Sequence, residues 1–305
     1  MNYFEEKIKN EYNEDFLNRF KIIRKSSFRI NNNVLKDKNS LENFLKDNNI
    51  KYENVSFYDG AYIIDNDKEN IIKESAFYNE GIVYFQNLST MIPILINSFK
   101  ENENVLDMCA APGGKTTLLS SVMENKISIT SLEIKKPRFE RLKYNIEMQK
   151  SKAFPMNVDA RNLDKNFRFD TILLDAPCTG SGTIEENVGS NYITKELEEK
   201  VNKAQNSLLK KASELINKNG LILYMTCSLY KGENESIINS FLSNNNTFIL
   251  KDLSNGISDI KKDKYIELYN YDIDKEYSSY KNNFVKILPN EYYEGFFFTV
   301  LEKIK

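Results

Sequence analysis

The chain contains no histidine and no tryptophan, and only three of its 305 residues are cysteine. Without histidine there is no imidazole proton shuttle, which excludes the usual Ser or Cys triads and most zinc sites, including the His-containing deaminase type. No metal site is expected, and catalysis must fall to Cys, Asp, Glu, Lys or Tyr. Three cysteines without close pairing do not make a disulfide framework, so the thiols are expected to be reduced, as buried filler or as chemistry. No apolar run reaches the roughly 18 to 20 residues that would span a bilayer. The acidic, polar start MNYFEEKIKN also lacks the basic and then apolar order of a signal peptide. A cytoplasmic protein without a membrane partner is expected. Neither sign of charge is in large excess: 42 basic and 44 acidic side chains leave a net charge of -2. That argues against indiscriminate nucleic-acid binding, because phosphate attraction scales with the number of basic contacts.

A local basic patch is nevertheless present. From Phe16 to Lys36, FLNRFKIIRKSSFRINNNVLK carries Arg19, Lys21, Arg24, Lys25, Arg29 and Lys36 with no acid. Charge alone leaves two readings, a polyanion contact or a solvated helix face followed by a strand.

The hydrophobic content of 41% suits a soluble protein with one large core and a smaller second domain. Residues 1–78 read as a small α+β unit: SFRI, a helix-patterned SLENFLKDNNI with Ser40 as a possible cap, then VSFY and AYII joined around Asp59-Gly60. Residues 79–305 alternate short apolar strands with helical segments, the pattern of a doubly wound parallel sheet. NFVKIL and GFFFTVLEK are close enough in sequence to pair as a C-terminal antiparallel hairpin. The most irregular stretch is residues 254–283.

Ligands of such sheets sit beyond the carboxyl ends of the strands. The first unusual end is VLDMCAAPGGKTT, where small residues and two glycines let backbone N–H groups approach a ligand. It is not a phosphate loop, because Cys109 stands where that motif needs glycine; a tight packing turn is the alternative. Glu133, some 20 residues on, stands where an acid of a Rossmann-like unit reaches ribose hydroxyls. Asp159 follows a third strand. LLDAPCTGSG ends a strand on Asp175, followed by Pro177 and Cys178, and LILYMTCS delivers Cys227. A single free cysteine reads best as an inert small apolar residue. Two at separate strand ends, with Asp175 beside one of them, point to one crevice.

The set DMCAAPGGKT, LLDAPCTGSGT, MTCSLYKGENE and GFFFTVLEK, in this order, resembles the Sun (Fmu) type RNA cytosine-5 methyltransferases. That resemblance covers most of the chain. It implies a Rossmann-like class I methyltransferase fold, an N-terminal RNA-recognition-like domain, S-adenosylmethionine as cofactor, and ribosomal or transfer RNA as substrate of a monomer. By the same resemblance Cys227 is the nucleophile and Cys178 assists product release, while Asp175 holds the pyrimidine edge near the cofactor. Cys109, Ala110, Ala111, Pro112, Gly113, Gly114 and Lys115 cradle the cofactor. Glu133 takes its ribose, Asp159 its adenine, and Arg138 flanks it. Arg19, Lys21, Arg24, Lys25 and Arg29 are expected to grip RNA, and Lys115 or a helix N-terminus to favour the thiolate. The chemistry agrees with the residues, since thiolate addition at carbon 6 of cytosine makes carbon 5 nucleophilic enough to take a sulfonium methyl.

Three departures stand out: Glu185-Glu186 where a basic pair is common, Asn87 where an acid is common, and Met225 where Ser is common. Two alternatives stay open. One is a catalytically silent RNA-binding or ribosome-assembly factor. The other is a nitrogen-directed methyltransferase, which would want an Asn or Asp-Pro-Pro-aromatic loop and no thiol.

Overall fold

The computed structural model describes residues 2–35, 37–186 and 188–305; Lys36 of the basic segment lies outside the described residues. Compactness divides the chain into Lys25–Asp159 and a discontinuous unit of Met1–Arg24 with Ala160–Lys305.

In Lys25–Asp159, strands β1 (Ser26–Ile30), β2 (Tyr52–Val55), β3 (Tyr58–Ile64) and β4 (Val83–Phe85) form an antiparallel sheet in the order β2-β3-β1-β4. Aromatic and β-branched side chains favour such a pleated, half-buried surface. Phe28 lies opposite Tyr62 with the rings stacked 5.1 Å apart. The helix Lys38–Asp47 adds Leu41 and Leu45, four residues apart on one face, to the same core. Its cap is Asp37, whose carboxylate accepts the Asn39 N–H at 3.0 Å; Ser40 instead donates its hydroxyl to the Asp37 carbonyl. The hairpin turns at Ser56-Phe57, not at Asp59-Gly60. Gly60 lies inside β3, where a Cβ would come within 2.6 Å of the Tyr58 ring. This glycine serves close packing, which a sequence pattern does not distinguish from a turn.

The same unit continues with β5 (Asn104–Asp107), β6 (Ser128–Leu132) and β7 (Phe154–Met156), parallel and in that order. Parallel neighbours need a crossover, supplied here by the helices Gly114–Val122 and Lys136–Met148. Asp107 pairs with Ser131 and Leu132 with Met156, so the loops after all three strands leave from one edge. Asn87 caps the helix Leu88–Leu95 by accepting the Ser89 N–H at 2.9 Å, a task an acid would perform equally well.

In the discontinuous unit, β8 (Phe169–Asp175) and β9 (Ile216–Thr226) are parallel neighbours joined through the helix Lys195–Leu215, which Thr194 caps. Strands β10 (Phe248–Leu250), β11 (Phe284–Ile287) and β12 (Phe296–Lys303) complete the order β10-β12-β9-β8, with β11 also antiparallel to β12. The expected C-terminal antiparallel pair is therefore β11 and β12. Phe296, Phe297 and Phe298 have no exposed surface, and a strand covered on both faces reads as an unbroken apolar run. Met225 is fully buried in β9 opposite Phe298, a site that accepts an apolar side chain. The helix Tyr3–Glu11 opens with a capping box of Asn2 and Glu5 and packs Phe4 and Ile8 into a cluster with Leu229 and Tyr230. Among the described residues, no helix is long and apolar enough to cross a membrane.

Candidate active site

The thiols come together through strand register. Asp175 lies beside Met225, so the ends of β8 and β9 are adjacent, and the Ala176 N–H donates to the Met225 carbonyl at 2.9 Å. The next residues bring the Cys178 and Cys227 sulfurs to 2.9 Å, both free and half-buried. The Cys178 thiol is pushed well above its usual range, first by its hydrogen bond to the Cys227 sulfur and then by burial. Either sulfur can be the donor in this contact.

The surrounding loops are tightly cross-braced. The Gly182 N–H donates to the Cys227 carbonyl and the Gly295 N–H to the Gly182 carbonyl, both at 2.9 Å. The Ser181 and Ser228 hydroxyls are 3.0 Å apart, and Ser181 Oγ accepts the Leu229 N–H at 2.9 Å. Glu233 is fully buried: Oε2 accepts the Thr179 N–H at 2.8 Å, and Oε1 accepts the Thr179 hydroxyl at 2.6 Å and the Ser228 hydroxyl at 3.0 Å. Its carboxyl is pushed up to about 7, mainly by burial. Sequence reading missed Glu233. It lies in the quoted stretch MTCSLYKGENE, but nothing local separates its buried acid from the solvated acids around it.

The loop that replaces a basic pair with Glu185-Glu186 has its own cation. The Arg24 Nη2 donates to the Thr183 and Ile184 carbonyls at 2.7 and 2.8 Å. Glu185 accepts the Arg24 N–H at 3.1 Å and faces its guanidinium at 3.8 Å.

In the other unit, the run Cys109 to Gly114 leaves β5 and enters the helix Gly114–Val122, with Gly113 at the cap in a left-handed conformation of φ 110° that favours glycine. Thr116 donates to Asp107 at 2.6 Å and Thr117 to the Gly113 carbonyl at 2.7 Å, fixing the first turn. The Ala110 N–H donates to the Leu132 carbonyl at 2.9 Å, and Arg138 donates to the Ala111 carbonyl at 2.6 Å. Arg138 also pairs with Glu133 at 3.2 Å. The buried Glu133 accepts the Lys135 N–H at 2.7 Å, so both its oxygens are already engaged. Cys109 to Lys115, Glu133 and Arg138 are thus gathered on one edge. Lys115 is buried at the second position of its helix, and Asp159 follows β7 half-buried. Small residues, a left-handed glycine, a helix N-terminus and a nearby acid suit a nucleoside bearing a charged tail.

The basic segment is not a continuous exposed stripe. Arg29 has no exposed surface: it donates to Gln86 Oε1 and Thr117 Oγ1, both at 2.8 Å, and to the Gly114 carbonyl at 3.2 Å, over the Tyr84 ring. Arg24 is buried in the loop contacts above. Both guanidiniums are buried and directed at protein oxygens, so neither presents an exposed charge to RNA here, contrary to expectation. Arg19 pairs with Glu267 at 2.5 Å and Lys25 with Asp65 at 3.1 Å, both keeping part of their surface. Lys21 is exposed.

Residues 94–302 match the family described as 16S rRNA methyltransferase RsmB/F. Over 178 residues the chain is 34% identical to the probable ribosomal RNA small subunit methyltransferase B of Bacillus subtilis (strain 168), covering 56% of this chain and 40% of that one. It is 32% identical over 166 residues to the tRNA (cytosine(72)-C(5))-methyltransferase of Pyrococcus horikoshii, covering 54% and 42%. The chain thus spans less than half the length of these curated relatives. A crystal structure of a methyltransferase homolog protein from Pyrococcus horikoshii superposes with a TM-score of 0.76 at 25% identity, covering 98% of each chain. The chain belongs to the 16S rRNA methyltransferase RsmB/F family and has its Rossmann-like methyltransferase fold.

Proposed function

We propose that this protein methylates carbon 5 of a cytosine in ribosomal or transfer RNA, as a cytoplasmic monomer using S-adenosylmethionine. The observation that carries this reading is the sulfur pair of Cys178 and Cys227, 2.9 Å apart beyond two adjacent strand ends. S-adenosylmethionine supplies an electrophilic methyl group when bound. Cys109 to Lys115, Glu133, Arg138 and Asp159 hold it, by the fit of small residues and a helix N-terminus described above. Residues 1–78 are the RNA-gripping domain and 79–305 the catalytic one. Arg19, Lys21 and Lys25 supply the grip, since they keep exposed surface.

Cys227 attacks carbon 6 as the thiolate, and the charge passed to carbon 5 makes that carbon take the methyl group. Asp175 hydrogen-bonds the pyrimidine edge as charge develops there. Once carbon 5 carries the methyl group, Cys178, having released its own proton to solvent, takes the carbon 5 proton, and the carbon 6–sulfur bond breaks to return the Cys227 thiolate.

The test is a denaturing gel of each variant incubated with substrate RNA and S-adenosylmethionine. Cys178→Ala should methylate and stay attached, giving a slow, nuclease-sensitive band that vanishes in the double variant with Cys227→Ala. Cys227→Ala alone should give no band and lose at least about a thousandfold in rate. An adduct with Cys227→Ala would reverse the roles. Normal methylation by every variant would remove the thiol mechanism, and RNA binding without methylation by the wild type would favour the silent factor.

A further inference from the structure

We infer that Glu233 is a positioning residue that ties the two thiol-bearing loops together, so that Cys178 and Cys227 are presented as a pair; this rests on the thiol mechanism proposed above. Thr179 and Ser228 each follow a cysteine directly, and one buried carboxylate accepts from both. Its grip lies one residue from each sulfur. The other bridges between these segments, Ala176 to Met225, Ser181 to Ser228 and Leu229, and Gly182 to Cys227, start two to four residues from Cys178 and leave Thr179 unheld. Asn234 steadies the Cys227 loop alone, donating to the Ser228 carbonyl at 2.8 Å and accepting from Thr226 at 2.5 Å.

Burying a carboxyl to accept from neutral donors is costly, and packing alone would be served as well by an apolar side chain of similar size. What an apolar residue cannot do is hold a backbone N–H on one loop and a hydroxyl on the other at fixed separation. Glutamine can. Its carbonyl oxygen would take the Thr179 N–H, while its amide donates to the two hydroxyls, which rotate to accept. Aspartate keeps the charge but is one methylene too short to reach both loops.

The experiment reads loop register through the sulfurs without RNA or methyl donor. Folded protein is treated with diamide, which accepts two electrons and two protons from the thiols as the S–S bond forms, and the Cys178–Cys227 crosslink is followed by alkylation and mass mapping. Glu233→Ala and Glu233→Asp should crosslink at least about tenfold more slowly than wild type, and Glu233→Gln within about twofold. If Glu233→Ala does not fold, the Asp and Gln pair carries the comparison. Methylation by Glu233→Asp should show a lower kcat at unchanged KM for RNA, with Glu233→Gln restoring it. A folded Glu233→Asp that crosslinks at the wild-type rate, or a Glu233→Gln as slow as Ala, overturns the assignment. A wild type that crosslinks rapidly yet never methylates RNA would instead sink the proposed function and leave the tie standing.

Discussion

Arg29 and Lys21 sit eight positions apart in one acid-free segment, yet substitution should affect them in opposite ways. Arg29→Glu would place a carboxylate against Gln86 Oε1 and the Gly114 carbonyl with no exposed surface, an uncompensated buried charge costing about 3–5 kcal/mol. Loss of the cooperative urea transition is expected. Lys21→Glu should leave the urea midpoint unchanged and lower the salt slope of RNA binding by about one. A folded Arg29→Glu with the RNA affinity of Lys21→Glu would contradict this placement. Glu233 makes a pH prediction. Its carboxyl titrates near 7 when folded and near 4.5 when unfolded, so between these pH values the folded state alone keeps the proton. Wild-type stability contributed by this group is therefore full below about pH 4.5 and falls until about pH 7. Glu198, Cys178, Tyr224, Tyr230 and Tyr3 also face it; Gln at 233 leaves all five in place. Relative to wild type, Glu233→Gln should gain about 3 kcal/mol across that window, measured by urea titrations at several pH values. A flat difference would show that the buried carboxyl does not titrate as described.

Among the elements, the loop after β8 and the start of β12 meet backbone to backbone. A Cβ on Gly182 would come within 2.1 Å of the Gly295 carbonyl oxygen, whereas one on Gly189 would meet nothing within 4 Å. Gly182→Ala should therefore cost about 1–3 kcal/mol as the contact spreads, and should slow the diamide crosslink because Gly182 also holds the Cys227 carbonyl. Gly189→Ala is the control and should change neither. Equal midpoints for the two variants would mean that the approach is looser than drawn. Both glycines of the close contact belong to stretches that stood out in the sequence, LLDAPCTGSGT and GFFFTVLEK, but their meeting did not. Residues 182 and 295 are far apart along the chain, and period and propensity report only local neighbours. The same limit moved the first hairpin turn to Ser56-Phe57, since Asp59-Gly60 carries a turn signature that the Tyr58 ring turns to packing.

For the whole molecule, the proposed cofactor gives a ligand test. S-adenosylhomocysteine at 100 times its Kd should stabilise the native state by about 2.7 kcal/mol, and ATP should not, because Cys109 replaces the glycine a phosphate loop requires. Stabilisation by ATP alone would remove the cofactor assignment. The sequence by itself determined the alternation that makes an α/β methyltransferase fold, the order of its strand ends and the residues beyond each one, because hydrophobic period and small-residue turns act over a few residues. It also narrowed the candidate chemistry, through the absence of histidine, to Cys, Asp, Glu, Lys and Tyr. The tertiary structure alone decided which charges meet solvent. Arg24 is consumed by carbonyls 159 and 160 residues away, and Glu233 turns from one acid among several into a buried tie 54 residues from Thr179. It alone set the two sulfurs, 49 positions apart, at 2.9 Å. Burial, desolvation and charge compensation depend on what packs around a side chain, and those partners come from long-range contacts that no stretch of sequence contains.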